Sequence, residues 1–258
     1  MCLILIAVQT HPFYRLILVG NRDEFYDRPS AAASFWDEFP DLLAGKDLIG
    51  GGTWLGVTKL GKIAAITNYR NPFQLKDSAP SRGRLVTGFL SGDQTPLEYI
   101  AGLRTKADKY NGFNLIVGER EELFWYSNRG NGEAHQLSAG IFGLSNGLLD
   151  FPWPKVTLGK KLFRSLLSEA DELEELLFEM LADRSIPDDR SLPETGVGLE
   201  WERILSPIFI TSAVYGTRSS SLLFIDRKDR VVFIERKFNG DPDRYETIKY
   251  EFEIQSFQ

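Results

Sequence analysis

Cys2 is the only cysteine among 258 residues, and it stands next to Met1. Loss of Met1 would put a thiol and a free α-amine on one residue, with the amine placed to act as general base for the thiol. An α-amine titrates near about 7.7–8.0 and a free thiol near about 8.5, so a small perturbation gives a useful thiolate close to neutral pH. Position alone also fits a plainer and preferred reading, in which Cys2 is the first residue of a buried strand, since free cysteine is among the most buried residue types.

A cysteine nucleophile of this kind needs a cation beside the thiol, a carboxylate for the amine, and donors for the oxyanion. The run Asn21-Arg22-Asp23-Glu24 offers the first two. In the functional reading Arg22 stabilises the thiolate and Asp23 accepts a hydrogen bond from the amine. Glu24 forms an ion pair or faces solvent. The competing reading of the run is a turn held together by ion pairs. Asn68, Asn114 and Asn146 stand at strand ends. Each offers an amide donor, and each taken alone reads more simply as a turn residue. Arg218 precedes Ser219-Ser220-Ser221 and reads as a second cation, with the serines as strand-edge hydroxyls. No G-x-S-x-G elbow surrounds them. Gly50-Gly51-Gly52 lacks the Lys-Ser/Thr of a phosphate loop and precedes a strand, so close backbone packing is expected there. The five tryptophans, Trp54 among them, read as core or pocket walls.

The elements that must position these residues follow from the pattern. Residues 2–9 form a near-continuous apolar run, as in a strand covered on both faces. Residues 15–19 form its hairpin partner, and Gly20 is expected to end that strand before the polar tetrad. Antiparallel pairing then returns Arg22 and Asp23 to Cys2. Residues 25–49 look irregular. Strands are expected at 55–57, 63–67, 114–118 and 123–127, with a pair formed by 134–137 and 141–144. A short helix is expected over 81–90. Thr95-Pro96-Leu97-Glu98 is a capping box with proline at the first helical position, which predicts a helix to about residue 109. Residues 155–183 read as two helices separated by a cap at 168–171. Residues 184–200 read as a surface loop, and 221–225, 231–237 and 245–253 as three closing strands. About ten strands in hairpins with helices grouped between them make an α+β fold with mainly antiparallel sheets. Residues 1–258 read as one domain.

Composition narrows the function. The chain is 43% hydrophobic and 26% charged, with a formal net charge of −6, which argues against a nucleic-acid binder. One cysteine excludes an internal disulfide and a cysteine-based zinc site. Only His11 and His135 exist, and neither has a triad or metal-site context. No metal or cofactor is therefore expected. No apolar run approaches the roughly 18–20 residues of a membrane span. Residues 3–8 are apolar but short, with no basic stretch before them, so a strand is expected and not a signal peptide. The expected compartment is a reducing cytoplasm.

Taken together, the segments resemble the NRDE family, also called the transport and Golgi organisation 2 family. The matching pieces are Met1-Cys2 with its apolar strand, Asn21-Arg22-Asp23-Glu24-Phe25, Gly51-Gly52-Thr53-Trp54-Leu55-Gly56, Thr67-Asn68-Tyr69-Arg70, Ser81-Arg82-Gly83, Gly143-Leu144-Ser145-Asn146 and Thr217-Arg218-Ser219-Ser220. The resemblance implies an αββα sandwich like that of N-terminal nucleophile hydrolases, whose cysteine acylases cleave amide bonds. It implies catalytic roles for Cys2, Arg22, Asp23, Asn146 and Arg218. The acylases separate the arginine and aspartate that are adjacent here, so Asp23 or Glu24 is the equivalent carboxylate. Asn68 is a second oxyanion candidate, and Asn68, Trp54 and Glu24 are expected at the substrate. The implied activity is hydrolysis of a small-molecule amide or thioester. The alternative is non-catalytic carriage of a hydrophobic ligand such as haem or acyl-CoA, since members are implicated in haem trafficking and lipid homeostasis.

Overall fold

A computed structural model describes residues 2–120, 122–168, 172–238, 241 and 243–255. The first strand, β1 (Cys2–Val8), is buried at all seven positions. Its partner β2 (Tyr14–Phe25) is twelve residues long. Then come β3 (Ser30–Trp36), β4 (Phe39–Asp47), β5 (Leu55–Thr58) and β6 (Lys62–Asn68). Helices α1 (Gly83–Leu90) and α2 (Pro96–Arg104) follow. Four strands come next: β7 (Phe113–Glu119), β8 (Glu122–Ser127), β9 (His135–Gln136) and β10 (Gly140–Leu144). Helices α3 (Pro154–Leu166), α4 (Leu173–Leu181) and α5 (Leu199–Leu205) precede the closing strands β11 (Tyr215–Asp226), β12 (Arg230–Phe238) and β13 (Tyr245–Glu253).

The strands form two antiparallel sheets, in the orders β10-β1-β2-β11-β12-β13 and β3-β4-β5-β6-β7-β8-β9. Strand alternation sends successive side chains to opposite faces. Even-numbered residues of β1 and β2, such as Ile4, Ile6 and Leu18, pack against the second sheet, whose outer face α1 and α2 cover. Odd-numbered residues, such as Leu3, Leu5, Ile17 and Val19, pack against α3 and α4. The layers are therefore helix, sheet, sheet, helix: the α+β class expected from the pattern, in the sandwich that the resemblance implies. This explains why β1 carries no polar residue: neither face meets water. Among the described residues no helix is long and apolar enough to cross a membrane.

Several elements depart from expectation. Gly20 does not end β2. The strand continues through the tetrad, because β11 pairs with it as far as Tyr215 opposite Phe25. Residues 25–49 are not irregular but contain the β3–β4 hairpin, whose alternation is broken by two register shifts. Residues 134–137 and 141–144 do not pair with each other: β9 joins β8 in one sheet and β10 joins β1 in the other. The capping box at Thr95 and Glu98 forms as expected, but α2 stops at Arg104 and a 3-10 turn (Ala107–Lys109) replaces its extension. The expected cap at 168–171 falls largely on 169–171, outside the described residues. The loop 184–200 ends in the unforeseen helix α5. Ser219, Ser220 and Ser221 lie in a central strand and not at an edge, since β11 has β2 on one side and β12 on the other.

Gly20 is there for close approach. A Cβ on it would lie 2.4 Å from the Leu3 carbonyl oxygen and 3.3 Å from the Trp54 ring. Gly20→Ala should therefore destabilise the fold by about 1–3 kcal/mol, the usual range for overpacking a core. Urea unfolding of the variant against the parent checks this.

Candidate active site

The β1–β2 ladder sets Cys2 directly opposite Arg22. Cross-strand partners share a face, so Arg22 lies beside the thiol on the face toward the second sheet. Asp23, one residue on, turns to the other face, where it is opposite Thr217 of β11. Glu24 turns back to the side of Arg22. Three adjacent charged residues thus divide between two surroundings because a strand alternates.

A cavity of about 520 Å³ opens between the ends of the two sheets. Cys2, Arg22, Asp23, Glu24, Trp54, Asn68 and Arg218 all line it. Asn146 does not. It is fully buried behind the cavity wall, where its Nδ2 donates to the Asn68 carbonyl at 2.7 Å. Its neighbour Ser145 donates to the Cys2 carbonyl at 3.0 Å. Residues 145–146 therefore brace the start of β1 and the end of β6. Asn68 itself lines the cavity. Asn114 donates to Thr67 and to the Gly147 carbonyl, a purely structural pairing.

Arg218 is the extra residue of a bulge: Thr217 pairs with Asp23 and Ser219 with Arg22, which leaves Arg218 outside the ladder. The bulge re-aims its side chain, as bulges do. Its Nη1 donates to the carbonyls of Phe25, Tyr26 and Arg28 at 2.8, 3.1 and 3.0 Å. It clamps the chain that leaves the tetrad. Glu24 sits between two arginines, 4.0 Å from Arg22 and 3.7 Å from Arg28. Arg28 in turn pairs with Asp47 at 2.7 Å.

Other residues of the site had no role in the sequence reading. Arg82 reaches the cavity because the glycine turn packs on the start of α1, where a Cβ on Gly52 would lie 2.3 Å from the Gly83 carbonyl carbon. Burial lowers the Arg82 pKa, and the nearby Glu24 and Cys2 act the other way. Behind Asp23 lies a buried polar cluster. Thr217 Oγ1 donates to Asp23 Oδ1 at 2.7 Å, and the Tyr215 hydroxyl donates to the Asp23 carbonyl at 2.9 Å. Lys155 Nζ is 4.0 Å from Asp23 Oδ2, with side chains 2% and 0% exposed. Arg70 pairs with Glu202 at 2.6 Å and lies over the Trp153 ring. One signal was available: Lys155 falls on the apolar stripe of α3 with Val156, Gly159 and Phe163. A lysine on a buried stripe needs a partner.

The electrostatics follow from burial. With Met1 in place, burial pushes the Cys2 thiol above its ordinary value. Asp23 adds to this, while the Arg22 guanidinium and the Asp23 backbone N–H favour the thiolate. Burial raises the Asp23 carboxyl, opposed first by Lys155. Burial lowers Lys155 to about 8, opposed first by Asp23. The histidines stand apart. His11 accepts from the backbone N–H groups of Phe13 and Tyr14 at the far end of the β1–β2 hairpin. His135 rests against Trp125. Neither lines the cavity. Among the described residues no cluster of His, Cys, Asp and Glu is arranged to hold a metal ion.

A family model described as Transport and Golgi organisation 2 matches residues 1–240. The chain belongs to the Transport and Golgi organisation 2 family. It is 37% identical over 277 residues to the mouse Transport and Golgi organization 2 homolog, across 99% of this chain and 100% of that one. The bovine homolog is 39% identical over 278 residues, with the same shares covered. Among solved structures the fold is similar to a Caenorhabditis elegans ortholog of N-acylethanolamine-hydrolyzing acid amidase. That match has a TM-score of 0.48 and 11% identity and covers 86% of this chain and 92% of that one. A C2A mutant of the conjugated bile acid hydrolase from Clostridium perfringens gives a TM-score of 0.43 and 10% identity over 100% and 99% of the two chains. These two are likenesses of chain trace alone and assign no chemistry to this member of the family.

The Arg218 clamp generates a prediction. Arg218→Met removes one donor from three carbonyls, of which Phe25 keeps the Arg28 N–H, and should cost about 1–3 kcal/mol of stability. Amide hydrogen exchange should also quicken at residues 26–28, which mass-resolved exchange would detect.

Proposed function

We propose that this protein is a hydrolase of amide or thioester bonds that uses Cys2 as an N-terminal nucleophile after Met1 is removed. The observation that carries the reading is the register of β1 on β2, which sets the only thiol opposite Arg22 at the wall of a charged cavity. The same register puts Asp23 one position beyond Cys2, on the side of the Cys2 backbone nitrogen. That nitrogen becomes the free amine when Met1 leaves.

The chemistry then runs through this chain's own groups. A thiol raised by burial does not ionise unaided near neutral pH, so it needs a base. The neutral α-amine takes the Sγ proton as Sγ bonds to the substrate carbonyl carbon. The carbonyl oxygen becomes an oxyanion. Asn68 is the better placed donor for it, because that residue lines the cavity, whereas the Asn146 amide is engaged behind the wall. Asn146 acts through Asn68 by holding its carbonyl. Collapse of the intermediate expels the amine or thiol leaving group, which receives the proton from the α-ammonium. Water then attacks the Cys2 thioester, and the carboxylic acid departs as the thiol recovers its proton. Asp23 orients the amine, Arg22 steadies sulfur, and Arg218 holds the tetrad's exit. A thiol nucleophile suits a reducing compartment, so the reading includes a cytoplasmic location.

Carriage of an apolar ligand such as haem draws less support. The cavity is walled by Arg22, Arg28, Arg82 and Arg218 with Glu24 and Asp47, and apolar ligands favour mainly hydrophobic pockets.

An intact mass spectrum before and after iodoacetamide tests the reading. The expected result is a protein lacking Met1 that gains one adduct at Cys2. Cys2→Ala should then abolish turnover of a panel of amides and thioesters with the fold unchanged. Undiminished turnover in Cys2→Ala would sink the proposal. Asn68→Ala should lower kcat by about 10²–10³-fold, the usual cost of losing an oxyanion donor. Asn146→Ala should mainly lower the melting temperature, read by calorimetry.

A further inference from the structure

Lys155 is an anomaly in the layer behind the site. It lies in the first turn of α3, its side chain is 2% exposed, and its Nζ has no hydrogen-bond partner among the described residues. A buried ammonium ordinarily collects several acceptors, because desolvation of an unpaired charge is costly. Here its ion-pair partner is Asp23 Oδ2 at 4.0 Å, while the other carboxylate oxygen is held by Thr217. The fold therefore keeps a cation beside Asp23 without tying it down by hydrogen bonds.

The position has a chemical use if the reading of Cys2 as nucleophile holds, and the inference rests on that reading. An amine that serves as a base must be neutral. A carboxylate close enough to orient it also favours its protonated form and raises its pKa. Asp23 alone would thus orient the Cys2 amine and hold it as an ammonium that accepts nothing. A second cation on the far side of the carboxylate removes that conflict.

We propose that Lys155 is a positioning residue for the Cys2 α-amine: its ammonium offsets the Asp23 carboxylate, so that the amine stays available as a base near neutral pH. The other charged and titratable groups around the pair come from every neighbouring element. Arg22 and Glu24 stand on β2, Arg70 follows β6, Arg82 precedes α1, Glu202 stands on α5 and Tyr215 on β11. Arg70 is spoken for by Glu202 at 2.6 Å, and burial raises the Tyr215 hydroxyl well above its ordinary value. Lys155 is therefore the cation left to face Asp23 from the helix layer.

The test is the pH dependence of Cys2 alkylation by iodoacetamide, read by intact mass on the processed protein. The rate reports the coupled amine–thiol pair. In Lys155→Met the acidic limb should move to higher pH by about one unit or more, as expected for loss of a nearby cation. Lys155→Arg keeps the charge and should restore the limb of the parent. If Lys155→Met does not fold, Lys155→Gln gives the same reading. A merely structural lysine would change unfolding and leave the limb in place. A folded Lys155→Met with the parent's limb, in protein that lacks Met1 and alkylates at Cys2, would overturn this inference and leave the hydrolase reading standing. Retention of Met1 in the parent protein would overturn both.

Discussion

Asp23 is a carboxylate on a central strand, covered by helices on its own face and 1% exposed. Leaving such a charge unpartnered costs several kcal/mol, so the surrounding chain must supply donors and cations. Thr217 comes from the opposite strand, the Tyr215 hydroxyl from the same strand's start, and Lys155 from α3. These groups fix how β11 lies on β2 and how α3 lies on the sheet. The β11–β2 register also leaves Arg218 in a bulge at the cavity, while the β1–β2 ladder carries Arg22 to Cys2. Keeping one buried carboxylate satisfied thus ties β11 and α3 to the strand that carries Arg22.

The second wall of the cavity comes from the other sheet and is joined to the first by a few polar ties. Glu235 of β12 accepts from the Ala33 backbone N–H of β3 at 2.8 Å across the sandwich. Arg28 and Asp47 join the exit of the tetrad to the end of β4. Thr53 N–H donates to the Gly83 carbonyl, which brings the glycine turn onto α1 and Arg82 to the cavity. These contacts link segments far apart in the chain. They account for the fact that the family's scattered motifs converge on one place.

Legibility in the sequence followed the range of the interaction. The covered strand β1, the Thr95 capping box and the closing strands were readable because a run of apolar residues or a local cap declares itself within a few residues. The β3–β4 hairpin was not, because two register shifts erase its alternation. The continuation of β2 past Gly20 was not, because β11 supplies the pairing from nearly 200 residues away. Strand partners such as β9 and β10, adjacent in sequence yet in different sheets, cannot be assigned from local pattern.

By itself the sequence determined the presence of a single thiol, the charged tetrad, the set of motifs and the α+β class. It also determined that Arg22 and Asp23 would come near Cys2, because a hairpin with a short turn returns its second strand to the start of its first. Only the tertiary structure decided which face each of the three charged residues takes, since that depends on the strand's continuing as a strand. Only the tertiary structure likewise put Asn68 on the cavity wall and Asn146 behind it, and set Lys155 beside Asp23. The physical reason is common to all three: the position of a buried polar group is settled by which distant segment can satisfy it, and no local pattern records that choice.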